Sequence, residues 1–129
     1  MCIRDSLYIT DMEPKNIRFY QVQADIIVDQ LYYGWWGSTG MEAMALGKPI
    51  VCYLRQSWKD LFFKTFKEYN HLPIVEANTS DIYEVLKKLV IDKQYRQLKG
   101  EESRKFAESH FNSETNSIEL IKLLEKCVD

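Results

Sequence analysis

An apolar run, Ile26-Ile27-Val28, ends at Asp29 and leads into a segment with glycine at Gly34, Gly37 and Gly40 and with Ser38 and Thr39 between the last two. Glycines let a backbone approach a ligand closely. A helix that begins at Ser38 or Thr39 presents unpaired N–H groups and the positive end of its dipole, which suits a phosphate or diphosphate. Glu42 lies four residues beyond Ser38, on the same helical face, and side chains lean toward a helix's N-terminus. A carboxylate would repel a phosphate, so its useful partners are hydroxyls, such as the two of a ribose. Amides for a diphosphate and a carboxylate for a ribose together describe a nucleotide diphosphate site. The spacing is neither the G-x-G-x-x-G fingerprint nor a P-loop, because no Gly-Lys-Ser/Thr follows. The plainer reading is a tight turn with Glu42 as a favourable first-turn acid.

The surrounding pattern shows what must position these residues. A helix is expected over Lys15 to Gln23 after Pro14, then a strand over Ala24 to Asp29, whose continuous Ile-Ile-Val run suits burial on both faces. The loop Gln30 to Gly37 follows, then a helix over Thr39 to Leu46 with Ser38 as N-cap and Gly47 as its stop. Pro49 to Leu54 reads as a second apolar strand. Strand, loop, helix, turn and strand make a βαβ unit, which pairs its strands in parallel. A helical segment over Trp58 to Tyr69, a third strand over Leu72 to Val75 and a helix over Asp81 to Ile91 come next. The apolar stripe of that helix is Ile82, Val85, Leu86, Leu89 and Val90. Two helices, Lys93 to Leu98 and Glu101 to His110, are expected with a break near Gly100. A last helix over Ser113 to Cys127 carries an apolar stripe of Leu120, Leu123, Leu124 and Cys127. The expected class is α/β: part of a Rossmann-like, doubly wound parallel sheet followed by C-terminal helices. Ligands bind such sheets beyond the carboxyl ends of the strands, which is where Asp29 and the glycines fall.

The chain's 129 residues are one ordinary domain, and a 46% hydrophobic content is enough for a core. A net charge of −2 and the lack of any basic run argue against nucleic-acid binding. No apolar stretch approaches the roughly 20 residues of a membrane span, and no secretory signal is visible. Cys2, Cys52 and Cys127 are odd in number and widely spaced, which suggests neither a disulfide framework nor a zinc site. They are expected as inert, buried residues in a reducing cytoplasm. Residues 1–6 fit poorly with the rest of the chain and read as a non-native scar.

The stretch Gly37-Ser38-Thr39-Gly40-Met41-Glu42-Ala43-Met44-Ala45-Leu46-Gly47-Lys48-Pro49-Ile50-Val51 closely resembles the signature of the glycosyl transferases group 1 family. Glu42-Ala43-Met44-Ala45 and Gly47-Lys48-Pro49 are its most specific parts. Asp81-Ile82-Tyr83-Glu84-Val85-Leu86, Asp92, Arg96, Leu98, Gly100, Arg104 and Glu108-Ser109-His110-Phe111 look like the helical tail of the same family. The resemblance implies the GT-B fold, two Rossmann-like domains with the active site between them, of which the C-terminal one binds the nucleotide-sugar donor. Residues 7–129 would then be half of that C-terminal domain, and inactive alone. The upstream half and the N-terminal acceptor-binding domain would be missing. Glu42 would hold the ribose, and the backbone of Gly37, Ser38, Thr39 and Gly40 would meet the diphosphate. No metal and no cofactor beyond the donor substrate would be needed. The acceptor is unread. The expected location is the cytoplasm, with any membrane association coming through the missing domain.

Two departures from the family stand out. Many members carry a paired-glutamate motif, E-x7-E, whose first Glu contacts the donor sugar; counting back from Glu42 reaches Gly34. Sugar contacts would then come from the backbone or from Asp29, an acid whose other reading is a loop cap. The basic residues that clamp the donor phosphates lie upstream in the family. A rival reading is therefore a non-catalytic nucleotide-binding or interaction domain. Among other residues, Trp35 and Trp36 are expected on opposite faces, one buried and one exposed, and Trp58, Phe62, Phe63 and Phe66 in a core or interface. His71 and His110 read as surface or capping residues, Lys87, Lys88 and Lys99 as solvated. Arg55, just past a strand, could meet a phosphate but more often such a residue faces water.

Overall fold

The computed structural model describes residues 7–127; Cys2 and the expected scar at residues 1–6 lie outside them. Pro14–Gln23 (α1) leads through Ile27–Val28 (β1), Ser38–Ala45 (α2), Ile50–Cys52 (β2), Gln56–Thr65 (α3), Val75–Glu76 (β3), Ile82–Ile91 (α4), Lys93–His110 (α5) and Ser113–Glu125 (α6). The strands form one sheet in the order β1-β2-β3, with both pairs parallel. The α/β class and the βαβ unit expected from the apolar runs are present. Ile27 pairs with Ile50 and Val28 with Val51, and Val51 then pairs with Val75.

Each strand is shorter than its apolar run, for local reasons. Ala24 is spent on ending α1, its N–H bonding Tyr20 O at 2.9 Å. Past β1 the pairing continues into the loop, with Asp29 N–H on Val51 O at 2.9 Å and Tyr53 N–H on Gln30 O at 2.7 Å. Pro73 has no N–H to give a ladder, and β3 starts later than expected, at Val75.

The central strand has all three residues fully buried. Side chains alternate across a sheet, so Ile50 and Cys52 enter one core and Val51 the other. The first core gathers Ile27, Met44, Leu54, Phe62 and Phe106 from α2, α3, α5 and the strands. The second gathers Val75, Ala77 and Leu89, with Ile82, Val85 and Leu86 of α4 against them. Helices thus cover both faces of the sheet.

The expected break at Gly100 does not occur: α5 runs unbroken from Lys93 to His110. A helical glycine costs about 1 kcal/mol relative to alanine, and here packing offsets it. A Cβ at Gly100 would lie 2.4 Å from Gly47 O, the carbonyl of the turn that ends α2. Gly47 itself has φ of +67°, the left-handed stop expected of it. The crossing is tied down by the Arg104 guanidinium, which donates to Ala45 O and to Glu108. Arg96 likewise donates to Leu89 O and Val90 O at the end of α4.

Several expectations about burial fail. The first apolar run is not buried on both faces: β1 lies at the edge of the sheet, and Val28 is 41% exposed. Leu120, Leu123 and Leu124 of α6, with Ile118 and Ile121, are between 49% and 59% exposed, and Cys127 is exposed too. Amphipathic spacing names an apolar face but not a surface to cover it. His110, expected as a surface or capping residue, packs among Phe62, Phe66, Tyr69, Phe106 and Phe111, with ring centroids 4.8–5.4 Å away. Burial pushes its imidazole below the ordinary 6.5, against an opposing pull from Glu68.

Two expected outcomes follow from this packing. Gly100→Ala should lower unfolding stability by about 1–2 kcal/mol in urea titrations, because a backbone carbonyl cannot step aside as a side chain would. For His110 the folded pKa is depressed, so the unfolded chain takes up a proton first as pH falls through 6.5. Stability should therefore be full above that value and decline as pH falls through the folded pKa. Denaturation midpoints of His110→Phe should fall less than those of the parent between about pH 7 and about pH 5.

Candidate functional site

The carboxyl ends of β1 and β2 bring together Asp29, the Gly34–Gly40 segment and Arg55, and Glu42 lies one turn into the helix that follows. The helix start differs in detail from the sequence expectation. Gly37 is the N-cap and Ser38 is already helical, exposed, and no cap. The N–H of Gly37 is instead capped from the strand, by Asp29 Oδ2 at 2.8 Å. Asp29 thus acts as the loop-capping acid, one of the two roles its position allowed. Among the described residues no acceptor meets the N–H groups of Ser38, Thr39 and Gly40; Ser38 and Thr39 are exposed and Gly40 is buried.

The glycines divide by what surrounds them. Gly40 is buried, and a Cβ there would lie 2.7 Å from Asp29 Oδ2 and 2.8 Å from Trp36 Cβ. Its smallness is used by the chain's own side chains, not by a ligand. A Cβ at Gly37 would make only ordinary contact, 3.9 Å from the Asp29 carboxylate. Gly34 has φ of +105°, and a Cβ there would stand 2.8 Å from Arg55 Cβ. No glutamate fits at position 34 without strain. The backbone at position 34 therefore excludes an acidic side chain.

Glu42 is half-buried and held. Gln21 Nε2, from the last turn of α1, donates to Glu42 Oε2 at 3.0 Å. Gln21 is itself buried, and its Oε1 has no partner. Lys48 ties the same two elements, donating to Val22 O at 2.8 Å. Gln21 was missed at the level of sequence, where a glutamine in an amphipathic helix carries no signal of burial.

The aromatic residues of the loop also behave differently from expectation. Trp35 and Trp36 do not split between core and solvent. They stack on each other with centroids 4.1 Å apart and are both half-buried against the first core. Trp35 meets Phe62 at 5.9 Å and Trp36 meets Phe106 at 6.2 Å. This anchors the loop and with it the start of α2. Phe62 is buried and Phe63 and Phe66 pack around it, as expected. Lys99 is not solvated but mostly buried, paired with Glu102 at 2.7 Å.

Cys52 lies below the loop, and its thiol is pushed up to about 12, first by burial and then by the Asp29 charge. It is no nucleophile at neutral pH. Among the described residues no group of three or more His, Cys, Asp or Glu side chains comes together as a metal site would require. No helix there is long and apolar enough to cross a membrane. A surface depression of about 330 Å³ lies by β3, lined by Glu76, Lys88, Tyr95 and Lys99 among others. It includes neither Glu42 nor the first turn of α2.

Comparison of the chain with protein-family models, with curated proteins and with solved structures found no match.

The cap on Gly37 can be weighed directly. Asp29→Ala should cost about 1.5–3 kcal/mol of stability, the range for a hydrogen bond to a charged group. Asp29→Asn, which keeps an acceptor oxygen, should recover part of the loss in thermal melts.

Proposed function

We propose that this chain is part of the donor-binding domain of a glycosyltransferase that uses a nucleoside-diphosphate sugar. The reading draws on the resemblance of Gly37–Val51 to the group 1 glycosyl transferases. The observation that carries it is Glu42. A carboxylate one turn into a helix, held half-buried by a buried glutamine and set behind unpaired amides, suits two vicinal ribose hydroxyls. The amides of Ser38, Thr39 and Gly40 suit the diphosphate, and their catalytic contribution would be stabilising charge on the leaving group. In this reading sugar transfer requires an acceptor-binding domain besides the chain described here.

The cap at Asp29 sharpens the reading. A second carboxylate at the helix start opposes an anion, so the diphosphate needs more compensation than α2 alone gives. A second reading, a nucleotide-binding module without transfer chemistry, is favoured by Gly34. Its positive φ and its contact with Arg55 leave no room for the sugar-binding glutamate of the paired motif.

Calorimetric titration with uridine and guanosine diphosphates and their sugar conjugates tests the proposal. The parent should bind one base series, and Glu42→Ala should weaken it by about 1 kcal/mol or more, the scale of a hydrogen bond to a charged group. A folded parent that binds none of these compounds would sink it. Sugar turnover by a protein with an acceptor domain separates the two readings.

A further inference from the structure

We infer that Arg55 is a phosphate-binding residue, and that the ligand it takes is the diphosphate of a nucleoside diphosphate. The inference rests on the donor-site reading and adds the cation which that reading lacks.

The charge balance at this end of the sheet leads to it. The loops and first helical turns after the three strands carry two cations, Arg55 and Lys59. Lys59 is committed, its ammonium reaching both oxygens of Glu76 at 3.0 and 2.8 Å. Other cations near the crossings are also engaged: Lys48 with Val22 O, Arg96 with the α4 carbonyls, and Arg104 with Ala45 O and Glu108. Among the described residues the guanidinium of Arg55 has neither an ion pair nor a hydrogen-bond acceptor, and the residue is exposed.

Arg55 is nevertheless held in place. Its backbone N–H donates to Gly34 O at 2.8 Å, and its Cβ occupies the space that glycine at 34 leaves. Its guanidinium lies over the Trp58 ring, 5.5 Å from the centroid. Tyr33 braces Trp58 edge-on at 5.2 Å, and Trp35 does so at 6.2 Å. Stacking on an aromatic ring uses a face of the guanidinium and leaves the in-plane N–H groups free, which is the geometry that grips two phosphate oxygens. Much of the side chain's freedom is already lost, so less is lost on binding. Gly34 also opens the segment that leads into α2, so Arg55 and the free amides of Ser38, Thr39 and Gly40 border the same loop. A doubly charged phosphate group placed there would be offset against Asp29 by Arg55, whose charge is unpaired among the described residues.

The test is calorimetric titration of the full chain with uridine and guanosine diphosphates at low and moderate salt. Arg55→Ala keeps the N–H and the Cβ that meet Gly34, so its thermal melt should match the parent's. It should bind the preferred diphosphate about tenfold or more weakly, and its affinity should fall less steeply with salt than the parent's. Arg55→Gln, which keeps a long polar stem without charge, should behave the same way if the alanine variant proves unstable. Arg55→Lys should restore the salt dependence but only part of the affinity. If the parent binds and neither neutral variant loses affinity or salt dependence, Arg55 holds no phosphate and the donor-site reading survives without it. If the folded parent binds neither diphosphate, both fall together.

Discussion

Ile50, Val51 and Cys52 are consecutive, apolar and fully buried, and the rest of the molecule answers that one demand. Burying such side chains is worth about 1.5–3 kcal/mol for each larger one, but a strand can hide neighbours only by being covered on both faces. Parallel strands on either side satisfy its backbone, and parallel pairing forces crossovers. α2 and α3 supply them on the Ile50 and Cys52 face, while α4 closes over Val51. Loops that lead into helices must then emerge together at the carboxyl ends of β1 and β2. The candidate site lies where it does because β2 is central.

Electrostatics at that end are less accommodating than a bare helix start would be. Asp29 caps Gly37 and so places a carboxylate at the positive end of the α2 dipole. The same charge, after burial, keeps the Cys52 thiol protonated. Glu42 adds a second carboxylate one turn on, oriented by Gln21. These two carboxylates oppose an anion, while the unpaired amides of Ser38, Thr39 and Gly40 and the Arg55 guanidinium favour one. Any bound diphosphate must therefore be met by donors from more than one element.

Residues around the candidate site also hold the fold together. Lys48 and Glu42 both bind α1, Gly47 turns the chain and receives Gly100, and Arg104 closes on the last turn of α2. These residues are thus tied to neighbouring elements, since a βαβ turn packed under a crossing helix needs small residues at the crossing and a donor for the orphan carbonyls. α6 stands apart: its apolar side chains lie half exposed and none of its residues is buried.

What the sequence by itself determined was the kind and order of the elements around the apolar strands. Ile26-Ile27-Val28 and Ile50-Val51-Cys52 have no polar alternation, and the helix between them stops at a glycine; periodicity and backbone sterics are local properties, readable from neighbours along the chain. Glu42 at the start of α2 was legible for the same reason. Only the tertiary structure decided that Asp29 holds the N–H of Gly37 while Ser38 caps nothing, that Gln21 holds Glu42, that Gly34 makes room for Arg55 and that Gly100 continues a helix instead of breaking it. It also decided that Trp35 and Trp36 share one surface and that the stripe on α6 stays half exposed among the described residues. Each of these depends on what approaches from a distant part of the chain, and a pattern of types along the sequence does not encode the distance between its far ends.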